Sequence, residues 1–94
     1  MSQVKSILDV RELHAKKDVE SIIKVLEEPT NSVDIKYQAI AALGSLRDEK
    51  AVPALIKAKE NQNLDFQGRV IWALGETNSI DAFKYLKDLR TEFK

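Results

Sequence analysis

One segment of the chain occurs twice, 31 residues apart, and this echo constrains the fold more than any other feature. Asp34, Ala39, Ala42, Leu43 and Gly44 are answered at the same spacing by Asp65, Val70, Ala73, Leu74 and Gly75. A self-similar period of about 20–50 residues marks stacked units, each burying its apolar face only against its neighbours. The echo continues past the glycine, where Ala51, Val52, Pro53, Ala54 and Leu55 align with Ala82, Phe83, Lys84, Tyr85 and Leu86. A fainter copy precedes both at an offset of 33 residues. There Ile7, Val10 and Leu13 match Ile40, Leu43 and Leu46, and Val19, Ile22 and Ile23 match Val52, Leu55 and Ile56.

Within each copy the apolar positions recur with helical spacing. Ile35, Ala39, Ala42, Leu43 and Leu46 fall at i, i+4, i+7, i+8 and i+11; Phe66, Val70, Ala73 and Leu74 repeat them, with Thr77 last. The small residues allow neighbouring helices to approach closely. Gly44 and Gly75 fall near helix ends, where a left-handed conformation or a tight turn is expected of them. Pro53 suits a first helical turn, and Asp48 and Ser79 are candidate caps. Each unit therefore reads as helix, turn, helix. Six helices are expected at about 3–14, 18–28, 33–45, 50–60, 64–76 and 79–92, with ends uncertain by about 2–4 residues. They form one domain over 1–94, with a divergent first unit at 3–30 and clear repeats at 33–60 and 64–92. Asp9 and Arg11 stand where the second unit has Ala42 and Gly44, which suits a polar terminal cap.

Composition narrows the function by exclusion. Fifteen Lys and Arg balance fifteen Asp and Glu, so no basic field exists to gather phosphates, and nucleic acid is not the expected partner. Without cysteine there is no disulfide, thiolate nucleophile or Cys-ligated zinc. No apolar run approaches the ~20 residues of a membrane span, and residues 1–7 lack a signal-peptide core. A soluble, cytoplasmic protein is expected.

The run Ile35-Lys36-Tyr37-Gln38-Ala39-Ile40-Ala41-Ala42-Leu43-Gly44, followed by Asp48-Glu49-Lys50-Ala51-Val52-Pro53-Ala54-Leu55, resembles HEAT repeats. It is most similar to the short type named after the phycobilisome bilin lyases. The second copy keeps Ala73-Leu74-Gly75 but has Phe66 and Gln67 where that family has Val and Arg. The resemblance implies an all-α fold, a right-handed α–α superhelix or α-solenoid of about six helices in three antiparallel pairs. It also implies that the helices at 33–45 and 64–76 line a concave face. The family's Arg–Asp ladder between repeats is not implied here, because Lys36 and Gln67 take the Arg position and Asn31 and Asn63 lie near the Asp positions. Asp65 and Arg69, four apart, are instead spaced to pair along one helix.

Function is expected where the copies disagree. Tyr37 stands opposite Gly68 and Ala41 opposite Trp72, on the sides of those helices turned from the core. Tyr37, Ala41, Gly68, Trp72 and Glu76 are therefore the candidate partner-binding residues. Trp72 is the sole tryptophan; it either anchors a partner beside the small Ala41 and Gly68 or packs over the seam between repeats. His14 has no companion ligands and reads as a solvated turn residue. Asp48-Glu49 and Glu27-Glu28 sit at helix ends and read as charge complements rather than acid–base pairs. Lys50, Lys57, Lys59, Lys84 and Lys87 decorate exposed faces interleaved with Glu49, Glu60 and Asp88.

The expected function is a non-catalytic protein–protein interaction module presenting a concave helical face to a protein or peptide. It needs no cofactor, no metal and no membrane. Two rivals remain: an accessory subunit of the bilin lyase type, and a nucleic-acid-binding protein of the same fold. A homodimer through the C-terminal helix is a further expectation, because Phe83, Leu86, Leu89 and Phe93 lie at helical spacing with no following repeat.

Overall fold

The computed structural model describes residues 6–60 and 63–92. Six helices follow in order: α1 (Ile7–Ala15), α2 (Val19–Glu27), α3 (Val33–Leu46), α4 (Ala51–Ala58), α5 (Leu64–Glu76) and α6 (Ile80–Glu92). No strand occurs among the described residues, and the molecule is an all-α solenoid. Residues 3–5 of the expected first helix lie outside the described residues, as does Phe93.

Helix starts follow from local chemistry. Asp18 caps α2 by accepting from the Ser21 amide at 3.2 Å and the Ser21 hydroxyl at 2.7 Å. Those bonds hold its carboxyl below the usual carboxylate range. The Ser32 hydroxyl accepts from the Ile35 amide at the head of α3, and the Asn63 side chain accepts from the Asp65 and Phe66 amides at the head of α5. Ser79 does the same for α6, accepting from the Asp81 amide at 3.2 Å. Asp48 departs from expectation. Its carboxylate accepts from the Lys50 amide at 2.9 Å and closes the turn before α4, whose own cap, Lys50, supplies no side-chain bond. Pro53 lies in the first turn of α4.

The glycines also differ from expectation. No glycine has a positive φ; both Gly44 and Gly75 continue their helices. Among the described residues the left-handed ones are Lys17, Arg47 and Asn78, at φ 57°, 54° and 54°. They occupy equivalent turns, one after the first helix of each unit. Gly44 instead serves close approach: a Cβ there would meet the Ala73 Cα at 3.0 Å.

α1, α3 and α5 pack side by side in one layer, with α2 and α4 in a second and α6 against α5. Equivalent slots build the core. Val10, Leu43 and Leu74 come from corresponding positions of the three units, and all are buried. Ile22 and Leu55 are likewise buried, whereas their counterpart Leu86 in the last unit is only partly covered. Burying each such side chain contributes about 1.5–3 kcal/mol. Thr77 takes the last apolar slot, and its hydroxyl donates to the Leu74 carbonyl at 2.6 Å, which satisfies a buried polar group.

Candidate interaction surface

The outer side of the α1/α3/α5 layer is held in register by a seam between α3 and α5. Tyr37 leaves α3 toward α5, and its ring meets Phe66 at 5.7 Å between centroids, tilted by 44°. Its hydroxyl donates to Asp65 Oδ2 at 2.9 Å. Arg69, one turn along α5, pairs with the same oxygen at 3.4 Å and lays its guanidinium 3.9 Å above the Tyr37 ring. Burial, reinforced by the Asp65 carboxylate, pushes the Tyr37 hydroxyl above its ordinary pKa. The spacing of Asp65 and Arg69 pointed to their pairing; the tyrosine joining them across helices was not anticipated.

Tyr37, expected to point away from the core, leans instead into the seam. It is half-buried and packs against the core, with its hydroxyl already engaged. Its counterpart Gly68 differs completely: nothing lies within 4 Å of a Cβ built there. Gly68 floors a shallow depression of about 520 Å3 with Ala41, Leu64, Asp65, Arg69 and Trp72 around it. Trp72 is 54% exposed on this open side. The seam contacts beside it run from Tyr37 to Phe66 and from Gly44 to Ala73. Glu76, one turn beyond Trp72, is also exposed.

The structure adds two residues to the set. Leu64, at the first turn of α5, is 81% exposed at the edge of the depression. Leu8, on α1, is 66% exposed. The 33-residue offset puts Leu8 in the slot of Ala41 and Trp72, so the signal was present in the repeat. Leu64 carried none, because an apolar residue at a helix start reads as core.

At the α6 end the expected apolar set is redistributed. Leu89 is buried and Leu86 half-buried within the chain. Phe83, of that set, is 69% exposed, and Ile80, outside it, is 71% exposed. With Leu74, Gly75 and Asn78 they line a second depression of about 260 Å3. His14 lies in the last turn of α1, half-buried, rather than in the turn that follows. Among the described residues no three His, Asp or Glu side chains gather as a metal site needs. None of the described helices is long and apolar enough to cross a membrane.

A family model described as HEAT repeats matches residues 19–92. No curated protein and no solved structure matches the chain.

Proposed function

The chain belongs to the HEAT-repeat family, and from that premise we propose that it is a non-catalytic protein–protein interaction module. The α1/α3/α5 surface is the binding face, with Trp72 as its anchor and Ala41, Gly68 and Glu76 beside it. One observation carries this reading. A half-exposed indole stands over a bare helical glycine, next to exposed Leu64, on a scaffold whose seam is closed beneath it. Rigid support with an accessible aromatic is what a hot spot needs. The matches at residues 35–44 and 51–55 support the finer assignment to short repeats of the phycobilisome-lyase type. At the other end, the exposed pair Ile80 and Phe83 supports a second copy of the chain as the cover.

Parallel capture experiments with wild type, Trp72→Ala and Lys57→Ala test the binding face. A partner retained by wild type and Lys57→Ala but lost by Trp72→Ala is expected. The loss must come without unfolding, because an exposed substitution of this kind changes stability by only about 0.5 kcal/mol. Equal retention by all three would move the interface away from this face.

A further inference from the structure

We propose that the partner segment is a basic amphipathic helix laid across α1, α3 and α5, a refinement that rests on the interaction-module reading. The first support is spacing. Leu8, Ala41 and Trp72 occupy one equivalent slot on three adjacent helices, so they form a row perpendicular to the helix axes. Packed helices stand about 8–10 Å apart. A helix rising 1.5 Å per residue returns the same face after seven residues, about 10.5 Å on. The apolar stripe of such a segment therefore keeps step with the pitch of the units. Its side chains meet Leu8 and Trp72 at either end, with small Ala41 between and the Gly68 hollow admitting one large residue.

The second support is charge. One turn beyond the row, the equivalent slots hold Glu12, Ser45 and Glu76, all exposed. On the other flank, Asp34 and Asp65 are exposed near the starts of α3 and α5. Among the described residues, the cation between the row and the starts of α3 and α5 is Arg69, whose guanidinium is engaged by Asp65 and the Tyr37 ring. Two further cations border this face. Arg11, exposed, takes the slot that on α3 is Gly44 and lies about 60° around the helix from Leu8. Lys36 is half-buried, one residue and about 100° around the helix from Tyr37. Among the described residues, four carboxylates therefore surround the apolar row against the engaged Arg69 and the bordering Arg11. Lys and Arg on the two edges of a partner helix complement that frame, whereas an acidic segment is repelled.

Two synthetic peptides of about 14 residues, enough to span three helices, serve as probes. One is an amphipathic Leu/Lys helix and the other its Leu/Glu counterpart. Trp72, the single tryptophan, reports binding by its emission. The Leu/Lys peptide is expected to shift Trp72 emission to shorter wavelength, and the Leu/Glu peptide to leave it unchanged. In a Glu12→Lys/Glu76→Lys variant the Leu/Lys affinity should fall about tenfold. An Asp48→Lys/Glu49→Lys variant carries the same charge change away from the face and should stay within about twofold. Equal loss in both variants, or binding of the Leu/Glu peptide, overturns the proposal. Failure of the Leu/Lys peptide alongside Trp72-dependent partner capture removes the basic helix and leaves the module reading standing. Capture indifferent to Trp72 removes both.

Discussion

A Cβ on Gly44 would stand 3.0 Å from the Cα of Ala73 and 3.1 Å from its Cβ, so α3 and α5 meet at a contact that only glycine fits without adjustment. Replacing a helical glycine by alanine ordinarily gains about 0.5–1 kcal/mol. At Gly44 that gain is opposed by overpacking against backbone, which costs about 1–3 kcal/mol. Gly44→Ala is therefore expected to destabilise by about 1 kcal/mol, and Gly44→Val by more. Gly68→Ala has no neighbour to meet and should stabilise by about 0.5–1 kcal/mol. Denaturant titration of both variants checks the opposite signs; two shifts in the same direction would remove the close-contact argument.

The Tyr37–Asp65 bond across the same seam gives a pH signature. Burial and the accepting carboxylate raise the Tyr37 pKa, so the folded state holds the phenolic proton more tightly than the unfolded chain. The stability linked to that proton is complete below the unfolded phenol value near 10 and is lost as pH rises through the folded value. Tyr37→Phe should melt below wild type at neutral pH, with the difference shrinking as the pH passes 10. Melting curves from neutral to alkaline pH measure this. A constant difference would show that the hydroxyl adds nothing to the seam.

Lys17, Arg47 and Asn78 each turn the chain through the left-handed region in the turn after the first helix of a unit. For a residue with an ordinary side chain that conformation costs about 1–2 kcal/mol, and asparagine bears it more easily. Glycine relieves the strain but loses more freedom on folding, by about 0.5–1 kcal/mol. Arg47→Gly and Lys17→Gly should each raise stability by about 0.5–1 kcal/mol, the net of those terms. Asn78→Gly should change it less. Thermal unfolding of the three variants ranks them, and the largest gain at Asn78 would contradict the strain account.

The architecture was legible because stacking demands that equivalent slots carry equivalent residues. Val10, Leu43 and Leu74 announced themselves by spacing alone and are buried together. What periodicity could not supply was the direction of side chains near the boundary between seam and surface. Tyr37 and Trp72 stand at neighbouring slots, yet one turns into the seam toward Phe66 and the other outward. The reason lies in the partner helix: Asp65 and Arg69 engage the tyrosine, and no contact in the repeat pattern encodes that. The glycines misled for a related cause. Their position near helix ends suggested turns, while Gly44 serves a neighbour 29 residues away.

The α6 end sharpens the proposal of self-association. At the internal seam, Gly44 receives Ala73; in the last unit the equivalent Gly75 has nothing within 4 Å of a Cβ. A second copy stacked front to back would bring Asp9, the counterpart of Ala73, against Gly75. That carboxylate already accepts from the Ser6 amide at the start of α1, and burying it in an apolar seam is costly. Two copies joined end to end through Ile80, Phe83 and Gly75 avoid that cost and close on a two-fold axis. Sedimentation of the wild type should show a concentration-dependent dimer. Phe83→Glu, at an exposed position, should give monomer with unchanged helicity, whereas Leu8→Glu at the opposite end should still dimerise. A wild-type chain that stays monomeric at high concentration would rule out the two-fold contact, and dimer loss in Leu8→Glu alone would favour front-to-back stacking.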